Sequence, residues 1–175
     1  VIPLDCSLCS SHLTRTNVVV GSGDINSKIL LVGECPGPDE DKDGVPFVGR
    51  SGKILRDSLF LLGIDTDKIY ITNLVKCLPS NSLNPKEENI TACSPYLLKQ
   101  VECMDPQLIV TIGRLSTEFF LGKIKITQES GVLRKVGGKN ILPILHPSYI
   151  LRNGSTTKML SEYVIALSNI LPFYV

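Results

Sequence analysis

Four short apolar runs, separated by segments with helical spacing, constrain the fold of this chain more than any other feature. They cover residues 27–33 (SKILLVG), 69–73 (IYITN), 108–113 (LIVTIG) and 141–146 (ILPILH). Each has the length of a strand, and its apolar residues are consecutive rather than alternate, which suits a strand buried on both faces. Pro143 brings no N–H to a ladder and predicts an edge position, or the start of a strand, for the last run. Between the runs, residues 52–62 place Leu55, Leu59 and Leu62 on one helical face and stop at Gly63. Residues 87–101 read as a longer helix that Pro95 kinks or divides. Residues 116–121 read as a short helix. Residues 158–170 form a last one, with Met159, Tyr163, Ala166 and Leu167 at helical spacing. Strands that alternate with helices predict an α/β fold, a three-layer αβα sandwich around a central four-stranded parallel sheet. At 175 residues the chain fits one domain, 1–175.

In such a sheet, ligands bind beyond the carboxyl ends of the strands. The loops that leave those ends are therefore where chemistry is expected. The first begins Gly33-Glu34-Cys35-Pro36-Gly37, a sequence that turns sharply and brings backbone close to a ligand, with a carboxylate placed to act on water. Asp39, Glu40, Asp41 and Asp43 follow and read as a solvated acidic loop, a poor cradle for phosphate. Phe47, between Pro46 and Val48-Gly49, is either a core plug or a stacking platform for a base. Asn73 ends the second run with both an amide donor and a carbonyl acceptor. His146, one of two histidines in the chain, ends the fourth and heads the loop HPSYILR. Ile150, Leu151 and Arg152 in that loop read either as packing or as an apolar wedge with a cation on a phosphate.

Composition excludes classes rather than choosing one. A hydrophobic fraction of 43% with 20% charged residues is not that of a disordered chain. No apolar run approaches the roughly 20 residues of a membrane helix, and the opening VIPLDCSLCSS lacks the layout of a signal peptide, so no membrane association is expected. A net charge of +1 decides nothing about nucleic acid. Six cysteines without a secretory pattern point to metal or redox chemistry. Cys6 and Cys9 form a C-x2-C pair that, with Cys77 and Cys93, could hold Zn²⁺ or an iron–sulfur cluster. Cys35 matters for its backbone, and Cys103 reads as a core residue.

The segments GECPGPDEDKDGVPFVGRSGKIL, YITNLVKCLP and HPSYILRN together resemble the family 4, iron–sulfur uracil-DNA glycosylases, in order from Cys6 to about Asn153. The resemblance implies one glycosylase domain that hydrolyses the N-glycosidic bond of uracil in DNA, releases free uracil and begins base excision repair. It implies a [4Fe–4S] cluster on Cys6, Cys9, Cys77 and Cys93. Glu34 and His146 are implied as catalytic, and Glu34, Cys35, Pro36, Phe47, Asn73 and His146 as the uracil pocket. Ile150, Leu151 and Arg152 fall at the DNA-binding wedge. Cys35 departs from the family pattern, which has Ala or Gly there. Uracil-containing DNA, single- or double-stranded, is the expected partner, and the protein is expected to be a monomer in the cytoplasm, at the nucleoid in a prokaryote. A sliding-clamp partner has no motif in its support. Three other readings are weaker. A DNA-binding module without catalysis needs none of Glu34, Asn73 and His146. A relative that bonds covalently to the abasic product carries a His-containing basic loop after PFVG, absent here. A nucleotide-binding protein would need a P-loop lysine.

Overall fold

The computed structural model describes residues 2–80 and 84–174. Its strands are β1 (Ser22–Gly23), β2 (Ile29–Gly33), β3 (Tyr70–Asn73), β4 (Leu108–Ile112), β5 (Arg134–Val136) and β6 (Lys139–Ile144). They form one sheet in the order β1-β3-β2-β4-β6-β5. The four inner strands pair in parallel and are the four apolar runs of the sequence. The antiparallel edge strands β1 and β5 lie outside the sequence expectation. One is two residues long, the other exposed throughout, so neither carries an apolar signal.

Alternation across the sheet divides the core. Ile29, Leu31, Val110 and Leu142 face one side and pack with Leu55 and Leu59 of α2 (Arg50–Leu61) and Leu167 of α7 (Thr157–Leu167). Leu30, Val32, Ile109 and Ile141 face the other and pack with Cys93 and Leu97 of α3 (Glu87–Met104). Helices on both faces make the three layers that buried parallel strands require. Shorter helices are α1 (Pro38–Asp43), α4 (Arg114–Leu121), α5 (Ile126–Glu129) and α6 (Pro147–Arg152).

Both prolines are accommodated for local reasons. Pro143 sits inside β6, between β4 and β5, but β5 pairs only with Lys139 to Ile141. At Pro143 the outer side of β6 carries no strand, and the Pro143 carbonyl accepts from the Gly131 N–H at 2.8 Å. Its missing N–H is thus lost from a local edge. Pro95 leaves α3 continuous. The carbonyl it strips of a partner belongs to Thr91, and both residues are exposed, so water can replace the bond. The last helix ends at Leu167 and continues as a 3₁₀ turn, Ser168–Phe173.

Register aligns the strand exits. Gly33 lies opposite Asn73, and Ile112 opposite Ile144. The loops after β2, β3, β4 and β6 therefore open on one edge of the sheet.

Candidate active site

A cleft of about 380 Å³ occupies that edge. Glu34, Cys35 and Pro36 from the loop after β2, Phe47 before α2, Asn73 from β3 and His146 after β6 all line it. Six of the sequence's candidate residues thus meet in one cavity, although more than a hundred positions of chain separate the first from the last.

Phe47 is a core residue that also borders the cleft. It is buried at 5% exposure within the core, and its ring also forms a wall of the cleft. Its φ of +55° is strained for a bulky residue, at a cost of about 1–3 kcal/mol, so the surrounding structure must impose it. Arg56 on α2 does so from one side, donating through Nε to the Phe47 carbonyl at 2.8 Å and through its terminal nitrogen to the Pro46 carbonyl at 2.9 Å. Glu40 does so from the other. Its carboxylate accepts from the N–H groups of Val48, Gly49 and Gly37 at 3.0, 2.8 and 3.1 Å. Gly33 completes the fit, since a Cβ there would lie 2.5 Å from Phe47 Cζ and 2.3 Å from Asn73 Oδ1.

The acidic stretch is solvated only in part: Asp39 and Asp43 are exposed, but its two middle residues are not. Glu40 and Asp41 are 8% and 5% exposed, on the short helix α1. Asp41 accepts from the N–H groups of Thr16 and Asn17, which ties the N-terminal segment to the site loop. The sequence carries no local sign of this, because the donors come from distant segments.

Glu34 points to the start of α4, where its Oε1 accepts from the Leu115 N–H at 2.9 Å. Gly113 makes this approach possible: its φ is +99°, and a Cβ would fall 2.5 Å from that oxygen. Burial pushes the Glu34 carboxyl above the ordinary glutamate value, opposed by the Leu115 N–H and by the charges of Arg114 and Arg152. Arg114 lines the cleft and was not singled out by the sequence. Its only signal is its place after a strand-ending glycine.

His146 caps α6. Its Nδ1 accepts from the Ser148 N–H at 3.2 Å and lies 2.8 Å from Ser148 Oγ. The Arg152 guanidinium donates to the same Oγ at 3.1 Å, which leaves the hydroxyl proton for Nδ1. An Nδ1 that accepts cannot carry the ring proton, so the neutral imidazole holds it on Nε2. Burial, with the Arg152 charge beside it, lowers the histidine to about 4, and the neutral form prevails. The ring lies 6.2 Å from Phe47, centroid to centroid, tilted by 33°.

The segment read as a wedge loop is helix α6. In this structure Ile150 is 1% exposed and belongs to the core cluster that includes Leu55 and Leu59 of α2. Leu151 is half-buried and Arg152 exposed, while Tyr149, 37% exposed, lines the cleft. Cys103 is likewise exposed rather than in the core, where Met104 takes the buried place. Cys35 is held by burial, and by the nearby charges of Glu34 and Glu40, at about 12, so it remains a thiol.

Cys6 and Cys9 lie in the N-terminal segment, Cys77 after β3 and Cys93 on α3. Burial raises Cys77 to about 11, with contributions from the charges of Cys93, Cys9 and Cys6. Cys93 is raised by burial and also feels Cys9 and Cys6. The four thiols are close enough for these mutual influences to be felt. Among the described residues, no three His, Cys, Asp or Glu are grouped to hold one metal ion. Four thiolates are the soft donor set that suits Zn²⁺ or an iron–sulfur cluster.

A parallel sheet with an aromatic side chain, an amide, a carboxylate and a neutral imidazole gathered in a cleft at its carboxyl edge has the architecture of an α/β enzyme. The family model of the uracil DNA glycosylase superfamily matches residues 20–168. The chain is 46% identical over 153 residues to the type-4 uracil-DNA glycosylase of Thermotoga maritima, covering 86% of this chain and 80% of that protein. It is 40% identical to the type-4 enzyme of Sulfurisphaera tokodaii, over 91% of this chain and 77% of the other. A type-5 uracil-DNA glycosylase of Pyrobaculum aerophilum is 28% identical, over 72% and 63%. The chain belongs to the uracil DNA glycosylase superfamily, and its relatives place it in the type-4 branch.

Proposed function

We propose that this protein, as one monomeric domain, hydrolyses the N-glycosidic bond of uracil in DNA, releasing the base and leaving an abasic site for repair at the cell's chromosome. One observation carries the reading: Phe47, Asn73, His146 and Glu34, from four distant segments, line a single cleft.

The target base must leave the stack, at a cost of a few kcal/mol. Tyr149, exposed beside the cleft, replaces Ile150 as the side chain that enters the gap, with Arg152 at a phosphate. The Phe47 ring stacks on the base. Asn73 donates its amide to O4 and accepts from N3–H, a bidentate contact worth about 1–3 kcal/mol against the wrong base. Cytosine offers the reverse pattern of donor and acceptor and is refused.

As the glycosidic bond lengthens, charge grows on uracil O2. The Nε2–H of neutral His146 donates there, and a donor aimed at developing charge is worth about 2.7–4 kcal/mol. Glu34 as carboxylate takes a proton from water and favours the cationic sugar. The proton removed from water ends on Glu34, the hydroxyl on the sugar carbon, and the electron pair of the broken bond on uracil.

A [4Fe–4S] cluster on Cys6, Cys9, Cys77 and Cys93 belongs to the same proposal, supported by the soft donor set and the mutual influence of the thiols. When bound it would staple the N-terminal segment to the exit of β3 and to α3. No hydrolytic step passes through it.

Incubation with a uracil-containing oligonucleotide, followed by alkaline cleavage at abasic sites, tests the reading. Strand scission at uracil and none at cytosine is expected. Intact strands with tight DNA binding would leave only a binding module.

A further inference from the structure

Among the described residues Lys76 is the only buried lysine, at 1% exposure. Its Nζ lies 2.7 Å from Thr72 Oγ1, 2.6 Å from the Asn73 carbonyl and 2.6 Å from Gln100 Oε1. Three acceptors match the three N–H donors of an ammonium. Two of the acceptors are themselves anchored: Thr72 Oγ1 donates to the Val20 carbonyl at 2.7 Å, and Gln100 Nε2 donates to the same oxygen at 3.1 Å. The amine is thus tied to β3, to α3 and to the segment before β1 at once.

Burying an amine is costly, and a methionine would fill the same space without that cost. Among the described residues no carboxylate pairs with it, and its hydrogen-bond partners are neutral oxygens. What distinguishes the place is the third partner. The Asn73 carbonyl belongs to the last residue of β3, and β1 pairs with that strand only at Tyr70 and Ile71. Among the described residues the Asn73 side-chain amide has no hydrogen bond of its own, so its aim is set by its backbone. That backbone is held on one side by its place in register opposite Gly33 and on the other by Lys76.

We propose that Lys76 is a positioning residue for base recognition: by fixing the Asn73 peptide, it aims the amide that pairs with uracil. The inference rests on the reading of Asn73 given above. It assigns Lys76 no contact with substrate.

A double-mutant cycle separates this role from plain structural support. Single-turnover uracil release and the Kd for uracil-containing DNA are measured for the parent, Lys76→Met, Asn73→Ala and the double variant. Lys76→Met is expected to slow release about 10- to 50-fold with Kd changed less than about twofold. In the Asn73→Ala background the same change should cost less than about twofold, because the group it aims is gone. Losses that multiply in the double variant would overturn the inference while leaving Asn73 as the reader. A parental rate for Asn73→Ala would overturn the reading of Asn73 itself, and the inference with it. Where Lys76→Met does not fold, Gln100→Leu serves. Removal of one acceptor should slow release about threefold in the parent and not at all in the Asn73→Ala background, and equal losses in both would overturn the proposal.

Discussion

The two loops that face each other across the cleft solve one problem by different means. The loop from Gly33 to Gly49 holds Phe47 in a strained backbone with buried charges: Glu40 gathers three N–H groups, Arg56 two carbonyls. The segment from His146 to Arg152 is a single helical turn and a half, and its cap is the functional side chain itself. In the first loop the supporting groups and the working ring are separate residues. In the second they coincide, so the hydrogen bond that starts the helix also fixes the tautomer of His146. The first should therefore fail as a unit when its brace is removed. The second should lose chemistry before it loses structure.

The largest effect is expected from Glu40→Ala, which leaves three loop N–H groups without their acceptor. Stability should fall by about 3 kcal/mol or more, read as a lower urea midpoint, and uracil release should drop at least about 100-fold as Phe47 leaves its conformation. Retained activity in a destabilised variant would show that the loop does not depend on its carboxylate brace.

Ile150→Ala sharpens the other side. As a core residue it should cost about 2–4 kcal/mol in denaturant melts, with the DNA Kd little changed. A weaker Kd at unchanged stability would restore it as a wedge.

The two loops also divide the pH profile. In the proposed mechanism His146 acts as the neutral ring, and burial lowers it to about 4. Glu34 acts there as the carboxylate, and burial places its carboxyl above the ordinary value. The rate should be flat near neutrality and fall as pH drops through the raised Glu34 value, the proton being gained by Glu34 before His146. In Glu34→Gln the rate should be lower overall, and its acid limb should move to about pH 4. A limb that stays in place would assign it to another group.

The smallest effect is expected from Ser148→Ala. The Ser148 N–H still reaches Nδ1, so stability should change by less than about 1 kcal/mol. Release should slow about three- to tenfold, because one of two donors to Nδ1 and the link to Arg152 are gone.

The parallel centre of the sheet was legible because a strand buried on both faces must be apolar at every position, as 27–33 and 108–113 are. The convergence of Glu34, Phe47, Asn73 and His146 was legible as motifs at strand ends. What escaped was whatever depends on how the chain folds back on itself, over short spans as well as long ones. Glu40 and Asp41 look like surface charge, and only the N–H groups of Val48, Gly49, Thr16 and Asn17 make them interior. Lys76, in the run NLVKC, shows nothing of the three oxygens around it. Ile150 fits core and wedge equally well on sequence, and the winding of α6 buries it in this structure.

Gly33 is a party wall. The ring of Phe47 and the amide of Asn73 both reach into the volume its missing side chain vacates. Any side chain at position 33 would therefore displace both of the groups that the proposed mechanism sets against the base. Libraries that vary positions 47 and 73 should hold Gly33 constant.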